Sequence, residues 1–150
     1  MRKFLKRIAL AFACVFALVS CSVSYKADSL KSGLEKESYK VDTYTPVEFE
    51  AYQLNSVTLQ TSKMDGLQQI LLGTKKVTDR DDGILILVFD TTENANKVGN
   101  PEGSTATETM SILLDFGKKM APKEDSSTYG TANNLVWTGS QAAKSAAGIK

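Results

Sequence analysis

Beyond the first twenty residues, the most apolar stretch of the chain is Ile84-Leu85-Ile86-Leu87-Val88-Phe89. Six such residues between Gly83 and Asp90 predict a strand covered on both faces, and hence central in a sheet. Ahead of it, Val47, Phe49 and Ala51 alternate with Glu48 and Glu50, and Val57 and Leu59 alternate with Thr58 and Gln60. That period predicts half-buried extended segments over about 43–61. Leu67, Ile70 and Leu71 have helical spacing, with Asp65 placed to cap and Gly73 to stop the element. The run Gln69-Ile70-Leu71-Leu72 fits a short strand equally well, and the pattern leaves both open. Thr78–Gly83 is a charged turn.

After the central strand, residues 91–104 are rich in Asn, Gly and Pro and predict a loop. Thr105 and Glu108 have capping-box spacing, with Ile112, Leu113, Phe116 and Met120 forming an apolar stripe behind them. A helix over about 105–120 follows, ended by Pro122. Asn134-Leu135-Val136-Trp137-Thr138 is a second apolar strand, and Gly139-Ser140 opens a small-residue helix through Ala142, Ala143, Ala146 and Ala147. Strand, helix, strand in that order predicts a crossover connection and a parallel pair. The expected fold is thus α/β: a small mixed sheet with a buried central strand at about 84–89, a crossover helix at about 105–120 and a parallel strand at about 134–138, preceded by extended segments. A parallel sheet needs helices on both faces. Few follow the central strand, so either the last helix caps a small sheet or the polypeptide is the first part of a longer one.

Composition narrows the chemistry. The 150 residues contain no histidine. A Ser-His-Asp triad and a histidine zinc site made by this chain alone are excluded. Four of the 18 basic residues and none of the 17 acidic ones lie in residues 1–20, which leaves 14 against 17 and a net charge of −3 beyond them. The densest basic run, Lys75, Lys76 and Arg80, is interleaved with Asp79, Asp81 and Asp82 and reads as a solvated turn. No nucleic-acid partner is expected.

The first residues carry a second signal. Arg2, Lys3, Lys6 and Arg7 precede the twelve-residue apolar run 8–19, which has the length of a signal-peptide core and is short for a membrane span. Leu18-Val19-Ser20-Cys21 follows and resembles the lipobox of bacterial lipoproteins. The resemblance implies a signal peptide over 1–20, cleavage before Cys21, and diacylglycerol with an N-acyl chain on Cys21. Several acyl chains anchor a protein durably to a membrane. Ser22, where an aspartate would favour the inner membrane in enteric bacteria, points to the outer membrane. Cys14 is lost with the signal, so no thiol remains for a disulfide or a nucleophile. Residues 21–40 read as a lipidated cysteine with a polar, serine-rich tether that holds a short helix around Leu30–Glu37, and residues 41–150 as a single small domain.

From about Val41 to Lys150 the order of elements resembles the first half of the zinc-dependent aminopeptidases, the co-catalytic exopeptidases. In that family a central strand ends in H-x-D, a glycine-rich loop enters a helix, and the next strand ends near a Glu-Glu pair before a Gly-Ser. Here the strand ends Val88-Phe89-Asp90, the loop reads Gly99-Asn100-Pro101-Glu102-Gly103-Ser104-Thr105, and the next strand ends Trp137-Thr138-Gly139-Ser140-Gln141. By that resemblance Asp90 keeps the aspartate that orients a zinc-binding histidine, and Glu102 falls near the bridging aspartate. Those two are the metal candidates. Val88 stands in place of the histidine, and Ser140 and Gln141 in place of the general base and a zinc ligand. Neither can accept a proton from zinc-bound water at neutral pH. Residues Met64–Thr74, ending Gly73-Thr74, also resemble a helix of small outer-membrane assembly lipoproteins, with Lys75 where that group has proline.

No catalytic residue is assigned, and no cofactor beyond the lipid on Cys21. The expected function is that of a lipid-anchored cell-envelope protein with a non-catalytic binding or accessory domain of degenerate exopeptidase-like fold, held to the membrane through its anchor and meeting an envelope protein partner. The alternatives are a truncated zinc aminopeptidase remnant and a structural outer-membrane assembly lipoprotein.

Overall fold

The computed structural model describes residues 24–54, 57–78, 80–100, 104–121 and 128–150. In chain order the elements are α1 (Ala27–Lys36), β1 (Lys40–Tyr44), α2 (Pro46–Glu50), β2 (Gln53–Leu54), β3 (Val57–Thr58), a 3-10 turn (Thr61–Lys63), β4 (Leu67–Val77), β5 (Arg80–Phe89), α3 (Thr92–Gly99), α4 (Ser104–Met120), β6 (Tyr129–Ala132), β7 (Leu135–Gly139) and α5 (Gln141–Ala146). Five strands form one sheet in the order β1-β4-β5-β7-β6, and β2 pairs with β3 apart from it.

The apolar run 84–89 lies in β5, the middle strand, as its pattern predicts. Its side chains alternate between two cores. Leu85, Leu87 and Phe89 pack with Phe49, Ile70, Leu72, Leu113, Phe116 and Val136 beneath α2, α3 and α4. Ile84, Ile86 and Val88 pack with Leu30, Leu34, Leu71, Leu135, Trp137 and Ala143 beneath α1 and α5. The result is a three-layer α/β domain in which an apolar β5 follows from burial on both faces.

Every pairing in the sheet is antiparallel, including β5 with β7. This corrects the parallel pairing expected for 84–89 and 134–138. The physical reason is β6. The chain leaves β5 through α3 and α4, returns at the far edge as β6, and turns back through Asn133-Asn134 so that β7 fills the place beside β5. Asn133 has φ +50°, the left-handed conformation that such a two-residue hairpin loop demands and that asparagine tolerates.

Further expectations are settled or corrected. Residues 46–50 are helical, not extended: Thr45 and Glu48 form a reciprocal capping box and Pro46 sits in the first turn. The ambiguous stretch 67–72 is strand, and β4 and β5 run on as a hairpin through much of the charged turn, with Lys75 opposite Asp82 and Lys76 opposite Asp81. The short helix expected around Leu30–Glu37 is α1, and it packs into the domain core instead of a free tether, with Leu30 and Leu34 1% and 0% exposed. Helix α3 stands where a loop was expected, capped by the Thr91 side chain.

Candidate functional site: an open hollow at one end of the sheet

Helices α1 and α5 lie side by side on the Ile84 face and run in opposite directions. α1 starts beside the Phe89 end of β5, where Tyr25 is held by Asn134, and finishes at Glu37, whose carbonyl accepts from Lys75 Nζ at 2.7 Å. α5 starts at Ser140, whose N–H donates to Gly83 O, and the chain returns until Lys150 N–H donates to Tyr25 Oη. A Cβ on Gly33 would lie 2.5 Å from Ala146 O, so glycine permits this close approach of the two helices.

Small residues cannot fill the whole seam. Near the Glu37 end a hollow of about 430 Å³ remains, lined by Gly33, Lys36, Glu37, Tyr39, Lys75, Ala142, Ser145 and Ala146. Beneath it Tyr39 Oη donates to Asp82 Oδ2 at 2.6 Å. Asp82 is 5% exposed, and its Oδ1 has no hydrogen-bond partner. Among the described residues no ion pair reaches this carboxylate, although Lys75 is its cross-strand neighbour. Lys75 instead extends over the Tyr39 ring, 5.2 Å from its centroid.

Burial, the hydrogen bond to Asp82 and the charge of Asp82 together push the Tyr39 hydroxyl well above the ordinary range for tyrosine. Tyr39 therefore stays a neutral donor at physiological pH. Ser140, fully buried, accepts from Ala143 N–H as the N-cap of α5, and its side chain also hydrogen-bonds with Tyr39. The hollow offers the side chains of Lys36, Glu37 and Lys75 beside apolar surface from Gly33, Tyr39, Ala142 and Ala146, with the Asp82 carboxylate buried behind Tyr39 rather than lining it. It suits a group that is part apolar and part charged.

The residues singled out by the aminopeptidase resemblance are not brought together. β5 and β7 are antiparallel, with Ile84 opposite Gly139 and Val88 opposite Leu135. Asp90 consequently stands at one end of the sheet, and Ser140 and Gln141 at the other. Val88 is buried in the α1–α5 core. Asp90 is exposed: its Oδ1 accepts from Asn94 Nδ2 at 2.9 Å and its N–H donates to Gly66 O. The hydrogen bond from Asn94 leads the causes that hold its carboxyl below the usual range. That is the work of a turn and helix-start residue. Glu102 and Cys21 lie outside the described residues. Among the described residues no group of three or more acidic, cysteine or histidine side chains is placed to hold a metal.

A second hollow, about 340 Å³, lies at the opposite end and is lined by Ser24–Asp28, Gln68, Gln69, Val88, Phe89, Asp90 and Asn134.

Tyr39, Lys75 and Asp82 were not legible as a site, since the charged stretch reads as solvated. One signal was present. Asp82 is in phase with Ile84, Ile86 and Val88, and extending the period-two pattern back past Gly83 places it on the buried face. Compared with known protein families, curated proteins and solved structures, the chain matches none.

Proposed function

We propose that this chain is a lipid-anchored cell-envelope protein whose domain binds or assists an envelope partner and performs no chemistry of its own. The observation that carries the proposal is the order of basic residues, a twelve-residue apolar run and Leu18-Val19-Ser20-Cys21, followed closely by a folded domain. A signal peptide over 1–20, acylation of Cys21 and a place at the outer membrane follow from it. The open hollow at Tyr39 and Lys75 is the surface offered to the partner.

The structural assembly lipoprotein gains nothing from the sheet: β5 is antiparallel to both neighbours but central, and the stretch 64–74 that resembles a helix of that group lies largely in strand β4. The aminopeptidase-remnant reading draws no support from the sheet, because Asp90 and Ser140 stand at its opposite ends.

The test is metabolic labelling of cells with a clickable fatty acid, with the protein recovered from the membrane fraction. Wild type takes up label and stays with the membrane. Cys21→Ala takes up none and accumulates as a longer precursor. Equal labelling of both would refute the anchor.

A further inference from the structure

We infer that the domain stands on the bilayer with its Tyr25–Asn134 end against the phospholipid headgroups, and that the Tyr39–Asp82 cavity opens away from the membrane into the soluble phase. This rests on the proposed lipid at Cys21 and adds to it an orientation and a membrane-contact surface.

The leash sets the first constraint. Tyr25 is fixed to the domain: its N–H donates to Asn134 Oδ1 at 2.7 Å and its carbonyl accepts from Asn134 Nδ2 at 3.1 Å. Four residue steps separate Cys21 from Tyr25, a reach of at most about 14 Å when fully extended. The cavity lies at the Asp82 end of β5, and seven steps from Asp82 to Phe89 span about 23 Å. A leash shorter than the sheet keeps the domain from standing upright on its cavity end while Tyr25 stays clamped.

The second constraint is independent of the leash. Among the described residues the exposed large hydrophobics are Val47 at 71%, Tyr52 at 38% and Val77 at 41%. Two of these three belong to the anchor end. β1 finishes at Tyr44, opposite Ile70 and through it Leu87, so α2 leaves the sheet on the Phe89 side. α2 thus carries Val47 outward there, and Tyr52 follows it, its ring stacked on Phe49 with centroids 5.4 Å apart. A half-exposed tyrosine beside an exposed valine suits the membrane interface, where amphipathic rings sit at headgroup level. The rest of this end is polar and mixed in charge, with Lys26, Asp28, Gln68 and Asp90, and meets hydrated headgroups without burying an unpaired charge.

The mature chain offers a direct test, because with Cys21 acylated it has no other thiol. Val47→Cys and, separately, Lys36→Cys are introduced into the full chain, purified from cells as lipoproteins and labelled with a fluorophore. Each is reconstituted in vesicles of phosphatidylethanolamine and phosphatidylglycerol containing a headgroup-attached quencher. Gln68→Cys provides a second anchor-end reporter that leaves α2 intact. The expected result is several-fold stronger quenching at residues 47 and 68 than at residue 36. Equal quenching at all three, or stronger quenching at residue 36, overturns the orientation while the lipid anchor stands. An N-terminal peptide whose mass shows no acyl chains overturns the anchor and the orientation together.

Discussion

Asn134 holds Tyr25 across 109 residues of sequence as a neighbouring strand would, accepting from its N–H and donating to its carbonyl. The same amide nitrogen donates to Phe89 O at 2.9 Å, so one buried side chain ties the start of the domain to the end of its central strand. Asn134→Leu removes all three bonds and leaves buried backbone groups unsatisfied. The expected loss is about 2–4 kcal/mol. Urea unfolding measures it, and amide hydrogen exchange at Tyr25 should quicken well beyond that of the β5 amides. A variant that keeps Tyr25 protected would show that the clamp is held by other contacts.

The Tyr39–Asp82 pair predicts an ordering of two variants. Tyr39→Phe leaves Asp82 buried with no donor, which costs about 2–4 kcal/mol. Asp82→Asn keeps an acceptor for Tyr39 and removes a buried charge that forms no ion pair among the described residues, so its stability stays within about 1 kcal/mol of wild type. Thermal melts of the two proteins side by side decide it. If Asp82→Asn were the more damaging, the carboxylate would have a cationic partner in solution, with Lys75 the nearest candidate.

How much of this was legible depended on the length of each pattern. Six consecutive apolar residues between Gly83 and Asp90 located the central strand, and the stripe Ile112, Leu113, Phe116 located α4. Ser140 was legible as a helix cap from its place after Gly139. Short elements misled. Val47, Phe49 and Ala51 alternate like a strand, yet over so few residues the Thr45–Glu48 capping box and Pro46 decide the conformation. Leu30 and Leu34 are spaced one helical turn apart, but polar neighbours hid the face they bury. The costliest omission was β6. Tyr129-Gly130-Thr131-Ala132 is a half-buried edge strand of weak pattern, and without it the crossover seems to lead straight to β7. That single missing strand turned an antiparallel neighbour into an expected parallel one and placed Asp90 and Ser140 on the same edge.

Among the described glycines of the sheet, Gly139 is the one where an added Cβ would come closest to backbone. It has φ +149°, and a Cβ there would press on Gly83 O and on Ile84 Cα. Neither is the tip of a flexible side chain, so neither can move aside. Gly139→Ala is expected to destabilise by about 3 kcal/mol, the upper end of overpacking costs, and to loosen the Ser140 N–H to Gly83 O bond that starts α5. Gly148, with φ +75° and open space around its Cβ position, is the control: alanine there strains only the local backbone and costs about 1 kcal/mol. Equal losses at the two positions would mean that the β5–β7 contact yields more than its geometry implies.

Alkaline pH provides the last prediction. Burial pushes the Tyr129 hydroxyl up to about 12, while in the unfolded chain a tyrosine titrates near 10. Tyr39 is raised in the same direction. Above about pH 10 the unfolded chain therefore binds fewer protons than the native one, and stability falls as pH rises. The contribution is complete below pH 10 and is lost as pH climbs through the folded values, with a slope of at most about 1.4 kcal/mol per pH unit for each tyrosine. Tyr129 is only partly buried, so solvent screening reduces its share. Tyr129 Oη also donates to Gly99 O at 2.7 Å, a bond that joins β6 to the end of α3 and is lost when the phenol ionises. Tyr129→Phe should therefore lower stability by about 1 kcal/mol at neutral pH and flatten the decline between pH 10 and about 12. Urea midpoints measured across that range for both proteins test the assignment. An unchanged slope in the variant would place the alkaline transition on another group.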